Sequence, residues 1–358
     1  MILTSTQKAV VLLDAFEKLE YKKKAQLIGA FSSPEKLFTL AKDTKRLYAR
    51  FEEDFPSVAA VLRKKDLVEE MINSAVKGAD GVITLFDDGY PENLKNTPVP
   101  PLALYYKGNA DLLKGNNRVA IVGSRKTMSL YYAEAERVSK ELSEAGVTVV
   151  TGIADGGDDA AIKGAMKSGR IISVFAGGIN CGYGQYKSAL VNEIARNGLL
   201  LTEYPADRPA RDFTYPVRNR IIAGLSRAAI IVSGTAKSGA RYTAAYAADY
   251  GRDVLTFPYG LGVKSGELCN GLIKQGATVI ENAEDAANAL GIELNEKKQI
   301  KLEGNELVIY ESIAEGVGDA NKLVEKTGLK PYEVVAALGM LEMKGALIRS
   351  GAEYEIVK

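Results

Sequence analysis

Residues 213 to 226 concentrate this chain's capacity to hold an anion. Arg218 and Arg220 flank Asn219, directly after Tyr215, Pro216 and Val217, and a largely apolar run over 221–225 comes next. A helix starting near Val217 places Arg218, Asn219 and Arg220 in its first turn. Backbone N–H groups lack intrahelical partners there, and the helix dipole is positive. That end repels cations, so two arginines in it point to an external anion, above all a phosphate, held by both. A solvated basic turn is the competing reading, and the stretch taken alone does not choose between them.

Four further turns offer related chemistry. Gly123, Ser124 and Arg125 close an apolar run, 119–122, with a residue that admits close backbone approach, a hydroxyl and a fork of donors. The Gly-x-Gly-x-x-Gly fingerprint of dinucleotide sites is missing, so a tight turn with a surface arginine is the alternative. Gly152, Gly156 and Gly157 can present successive N–H groups as an anion nest, although Asp155 would repel a phosphate and Asp158 can instead cap the next helix. Gly178 sits in a third glycine turn, and Tyr183, Tyr186 and Lys187 after it combine rings with a cation, as base stacking and phosphate pairing require. Ordinary loop packing explains them equally well. Lys237, Ser238, Gly239, Arg241 and Thr243 come after another apolar run, with small donors and two cations ahead of a helix. If the strands are parallel, all these turns open on one edge of a sheet, and that convergence outweighs any single one.

Composition narrows the chemistry. The chain has 358 residues, a net charge of +1 and no histidine. A histidine base, triad or metal ligand is thereby excluded. Cys181 and Cys269 are the two cysteines, too far apart for a Cys-x-x-Cys metal site and too few for a disulfide framework, so the cytoplasm is the expected compartment. No apolar run is long enough to cross a bilayer, and the N-terminus lacks the basic start of a signal peptide. A near-neutral total means that any nucleic-acid site is a local patch.

The elements that must position these turns read as three domains. Residues 1–78 form a small helical domain, with Val10, Leu13, Phe16 and Leu19 at helical spacing and Ser33-Pro34 as a helix start. Residues 79–291 begin with strands near 83–86 and 102–106. They continue as strand then helix, with apolar strands at 119–122, 148–151, 171–175, 199–202, 229–232, 253–257 and 277–280. Strands apolar throughout, alternating with helices, predict a mostly parallel, doubly wound α/β sheet of extended Rossmann-like type. After a charged linker over 292–303, residues 304–358 predict a helix, a helix capped by Asp319 and ended by Gly328, and a longer helix from Pro331 to about Lys344. A hairpin from 346–349 and 354–357 completes the outline of a winged helix. That longer helix holds one cation, Lys344, which favours a partner-protein role over DNA reading.

An ordered set of motifs resembles the bacterial DNA-processing protein A family, also called Smf. It runs through Asp88-Gly89-Tyr90-Pro91, Pro100-Pro101, Gly108-Asn109, Val122-Gly123-Ser124-Arg125 and Thr151-Gly152-Ile153-Ala154. It continues with Gly178-Ile179-Asn180, Thr202-Glu203-Tyr204-Pro205, the segment from Arg218 to Ser226, Ser238-Gly239, Thr243-Ala244 and the segment from Gly266 to Ile273. The resemblance covers about residues 80 to 280. It implies a non-enzymatic protein, without cofactor or metal, that binds single-stranded DNA whatever its sequence. It also implies dimerisation through the Rossmann-like domain, protection of incoming strands and loading of the recombinase RecA in natural transformation.

By that resemblance Gly123, Ser124, Arg125, Arg218, Asn219 and Arg220 belong to the DNA site, with Tyr215 as a stacking platform. The chain departs from the family's pattern at Asp155, Gly157, Ile162, Ser233, Gly184 and Tyr259. A second reading is a nucleotide sensor or nucleoside-monophosphate hydrolase of the lysine-decarboxylase-like Rossmann group. The Pro-Gly-Gly-x-Gly-Thr stretch of those hydrolases is missing, and Glu203, the one motif carboxylate to consider as a base, is expected to orient a neighbouring arginine instead.

Overall fold

The computed structural model describes residues 1–29, 33–38, 55–181, 184–294, 302–351 and 353–356, with the backbone alone described for 184–187. The chain packs as two compact units, Met1–Asn295 and Glu296–Lys358. No described helix is long and apolar enough to cross a membrane.

The first unit opens with helices α1 (Ser5–Asp14), α2 (Tyr21–Gly29), α3 (Pro56–Leu62) and α4 (Lys65–Ala75). Thr4 starts α1 with a capping box, its hydroxyl accepting from the Gln7 N–H while Gln7 Oε1 accepts from the Thr4 N–H, both at 3.1 Å. Pro34 does open a helical turn, but a short 3-10 one, Pro34–Phe38. These helices are not separate from the neighbouring strands. Val10 and Leu13 share a core with Val82, Leu102 and Tyr105, and the Tyr105 hydroxyl donates to Asp14 Oδ2 at 3.1 Å.

Next come β1 (Gly81–Thr84), α5 (Glu92–Lys95), β2 (Ala103–Gly108) and β3 (Arg118–Val122), then α6 (Ser129–Glu144), β4 (Thr148–Thr151), α7 (Gly157–Met166), β5 (Ile171–Val174), α8 (Gly184–Asn197) and β6 (Leu199–Thr202). The unit ends with α9 (Thr214–Leu225), β7 (Ala228–Ile231), α10 (Ala240–Asp249), β8 (Asp253–Thr256), α11 (Glu267–Lys274), β9 (Thr278–Val279) and α12 (Ala283–Leu290). The nine strands form one sheet in the order β1-β2-β6-β5-β4-β3-β7-β8-β9. From β6 to β9 every neighbouring pair is parallel, while β2 runs antiparallel to both β6 and β1. The doubly wound sheet predicted from the apolar runs is therefore present, and strands β3 to β7 are buried along their whole length, as helices on both faces require.

Chain order reverses at β3. Strands β4, β5 and β6 lie on one side of it, and β7, β8 and β9 on the other. At such a switch point the connecting segments leave in opposite directions and open a crevice beyond the strands' carboxyl ends.

The second unit contains α13 (Asn305–Ala314), α14 (Ala320–Thr327), α15 (Pro331–Met343) and the antiparallel hairpin β10 (Leu347–Ser350) and β11 (Glu353–Ile356). Asp319 caps α14 through bonds from the N–H groups of Asn321 and Lys322 at 3.0 Å, and Gly328 ends it with φ 70°. Ile309, Leu323, Val334, Leu338 and Leu341 form its own core.

Candidate nucleic-acid interface

The crevice at the switch point is a cleft of about 710 Å³. The turn after β3 supplies Gly123, Ser124, Arg125 and Lys126, and the turn after β7 supplies Thr235, Ser238, Gly239 and Ala240. Helix α9 closes one wall with Tyr215, Arg218, Asn219 and Ile222, and Lys264 and Ser265 reach in from the segment after β8. Arg125, Lys126 and Lys264 are exposed cations, and Tyr215 keeps 37% of its surface open.

Helix α9 begins earlier than the sequence predicts. It starts at Thr214, not near Val217, so Arg218, Asn219 and Arg220 stand beyond the first turn and its free N–H groups. The early start has two local causes. Thr214 Oγ1 accepts from the Arg211 N–H and donates to the Arg211 carbonyl at 2.7 Å, and proline fits within the first turn, where its missing N–H has no partner to lose. The cleft face of α9 is then set by phase. Residues 215, 218, 219 and 222 share one side, whereas residues two apart on a helix diverge by about 200°.

Arg220 therefore leaves the cleft, a correction to its predicted pairing with phosphate. It is buried, donates to the Val99 carbonyl at 2.7 Å and forms an ion pair with Glu203. Burial pushes the Glu203 carboxyl up, outweighing the pull of Arg220 in the other direction. Arg218 does line the cleft, but from its floor: it is 5% exposed and donates to the Val174 carbonyl and to Asn219 Oδ1, the latter at 3.0 Å. Asn219 in turn donates to the Gly239 carbonyl at 3.2 Å, joining α9 to the start of α10.

Most of the glycines serve packing between turns. A Cβ on Gly157 would lie 2.4 Å from the Gly123 Cα, and one on Gly152 would meet Asp158 Oδ2 at 2.4 Å and the Arg218 guanidinium at 2.7 Å. Gly156, at φ 77°, would collide with the Ser124 carbonyl. Several N–H groups expected to face a phosphate are already engaged. Gly123 donates to Asp158 Oδ1 at 3.4 Å, Ser124 to Ser233 at 3.1 Å and Gly178 to the Arg208 carbonyl at 2.7 Å. Gly152, Gly156 and Gly178 are outside the cleft lining: Gly152 backs Arg218, Gly156 backs Ser124 and Arg125, and Gly178 packs against the Pro205 and Ala206 carbonyls away from the cleft.

Asp158 is the tie between two turns and not a helix cap, since it also accepts from the Ala154 N–H at 3.2 Å. Ser233 fastens the Ser124 turn by sharing hydrogen bonds with the Ser124 and Thr127 hydroxyls at 3.2 and 2.8 Å. Tyr259 stacks on Tyr131 with ring centres 3.6 Å apart and donates to the Val232 carbonyl at 2.8 Å.

At the start of α10, Ser238, Gly239 and Thr243 line the cleft as a group. Thr243 Oγ1 is fully buried and has no hydrogen-bond partner among the described residues. Lys237 is exposed but outside the lining, and the Lys187, Tyr183 and Tyr186 side chains lie outside the described residues. Sequence reasoning misses Lys126, Asp212, Thr235, Lys264 and Ser265, all of which line the cleft. Lys126 adjoins Arg125, and that adjacency is a signal that could find it. Lys264 lies in a segment far along the chain, so nothing local marks it.

The family model of DNA recombination-mediator protein A matches residues 81–291. The protein Smf from Synechocystis sp. is 36% identical over 213 residues, 58% of this chain and 54% of that protein. The DNA processing protein DprA from Bacillus subtilis is 36% identical over 197 residues, 55% of this chain and 66% of that protein. Smf from Escherichia coli is 31% identical over 272 residues, 72% of each. The matches thus span about half to two thirds of the first two relatives' own length.

Among solved structures, DNA processing protein A from Streptococcus pneumoniae superposes with a TM-score of 0.65 at 26% identity, covering 82% of this chain and 100% of that one. DNA processing protein A from Helicobacter pylori, described for its single-stranded DNA binding mode, gives 0.54 at 29% identity over 58% of this chain and 95% of that one.

Proposed function

The chain belongs to the DNA recombination-mediator protein A family, and from that premise we propose that its switch-point cleft holds the backbone of single-stranded DNA without reading its sequence. The convergence of Arg125, Lys126 and Lys264 from two separate turns around the open ring of Tyr215 carries this reading. Three cations on long side chains pair with successive phosphates, and the ring offers a π-face to any base. The Arg218 guanidinium adds positive charge from the floor, and Ser238 and Gly239 supply small polar contacts at the positive end of α10. The role is non-enzymatic. A homodimer through the Rossmann-like unit coats incoming strands in the cytoplasm and passes them to the recombinase RecA during natural transformation.

The hydrolase reading loses the base that the sequence offered it. Glu203 is buried against Arg220, away from the lining, and Asp158 is occupied by two backbone donors.

Fluorescence anisotropy with a labelled oligothymidylate over a salt series tests the proposal. Affinity falls as salt rises, by about 0.7 log units per log unit of salt for each phosphate neutralised. Arg125→Ala lowers that slope by about one phosphate's worth and leaves the melting temperature unchanged, because the side chain is exposed. A parent protein that bound nucleoside monophosphates tightly but not the oligonucleotide would overturn the reading.

A further inference from the structure

The long helix of the second unit has an apolar face that the described residues leave uncovered. Val334, Ala337, Leu338 and Leu341 of α15 turn into that unit's core. On the other side Tyr332, Val335, Met340 and Met343 are 66%, 65%, 42% and 79% exposed. Ala336 and Gly339 lie between them, and nothing stands within 4 Å of where a Gly339 Cβ would be. Contiguous exposed apolar surface of this kind marks an interaction site.

Duplex DNA does not suit it, since among the described residues the one cation against the face is Lys330 at its edge, 5.9 Å from the centre of the Tyr332 ring. The unit from Glu296 to Lys358 has nine lysines and arginines against eleven acids, a net charge of −2.

The order of sizes along the face identifies the occupant. Reading from Tyr332 to Met343, the face runs large, large, small, small, large, large. The pairs 332 and 343, 335 and 340, and 336 and 339 are each equidistant from the midpoint between Ala337 and Leu338. A pattern symmetric about its own centre matches itself when one helix is turned end for end.

We propose that α15 pairs antiparallel with α15 of a second copy about a two-fold axis at that midpoint. Ala336 and Gly339 of each copy meet at the crossing, where small side chains let two helices approach closely. Tyr332 of one copy lies beside Met343 of the other, a favourable sulfur–aromatic contact. An isologous contact of this type closes on itself and does not propagate. A three-turn face covers less than the roughly 800 Å² per partner of a standard interface, so the pairing is concentration-dependent.

Site-specific thiol crosslinking in the full-length protein tests the register. In a Cys181→Ser background Cys269 remains, and it is fully buried. Across the two-fold axis the copies of residue 336 are three residues apart along the helices, about 4.5 Å, whereas copies of residue 332 are eleven apart, about 16 Å. With copper–phenanthroline as oxidant, Ala336→Cys gives a disulfide-linked dimer and Tyr332→Cys does not. Adding Val335→Glu to the Ala336→Cys chain abolishes the link by placing a carboxylate in the contact. Equal linking at both positions, no linking at either, or linking unaffected by Val335→Glu would each overturn the proposal, including in favour of a different protein as occupant. Because the readout depends on position, a dimer formed only through the Rossmann-like unit does not mimic it.

Discussion

Arg220 and Arg125 carry the same charge and have opposite consequences. The Arg220 guanidinium is buried between the Val99 carbonyl and Glu203. Removing one partner of such a pair leaves an uncompensated charge in a poorly solvated place, which costs about 3–5 kcal/mol. Glu203→Leu is therefore expected to lower stability by about 3 kcal/mol in urea unfolding at pH 7. The salt slope for oligonucleotide binding by the folded protein stays where it was, since neither group lines the cleft. A lowered slope with unchanged stability would return Arg220 to the DNA site. Arg218 is intermediate, since it lines the cleft and also holds the Val174 carbonyl. Arg218→Ala is expected to lose both stability, by about 1–3 kcal/mol for the carbonyl left without its donor, and affinity.

At the scale of elements, the decisive quantity is helical phase. Three residues in a row, Arg218, Asn219 and Arg220, read as one basic cluster in sequence, but a helix cannot aim the first and third at one ligand. That divergence holds wherever the helix starts, but which arginine faces the cleft depends on how Ile221, Ile222, Ala223 and Leu225 roll α9 into the core of the sheet, and no local signal reveals that. The glycines tell a similar story. Their clustering after strands correctly located the cleft, yet contacts between Gly123 and Gly157, or Gly156 and Ser124, join segments far apart in sequence and could not be read locally. Gly156→Ala tests this. A side chain at φ 77° is strained, and here the added carbon would strike the Ser124 carbonyl. The expected loss is about 1–3 kcal/mol of stability, together with weaker oligonucleotide binding as the Ser124–Arg125 turn is displaced. Gly115→Ala is the control. It sits at φ 68° with nothing within 4 Å, so it suffers strain alone and leaves affinity intact.

For the whole molecule, a net charge of +1 conceals a division. With −2 on Glu296–Lys358, the unit Met1–Asn295 carries +3. The alternation of apolar strands and helices made the sheet readable, since strands buried on both faces leave an unmistakable run of Val, Ile and Leu. Strand order left no such trace: it comes from which edges pair, and only the position of β3 between β4 and β7 turns separate loops into one cleft. All cleft residues lie before residue 296, and that unit contains both of the core clusters on which its own folding rests. A fragment ending at Asn295 is therefore expected to fold cooperatively and to bind oligothymidylate with the salt slope of the full chain, because the same phosphates are neutralised. If the α15 pairing operates, the fragment loses only the concentration-dependent self-association that pairing adds, seen by sedimentation velocity over a concentration series. A slope reduced by one phosphate or more in the fragment would mean that the acidic unit contacts the strand after all, against the sign of its charge.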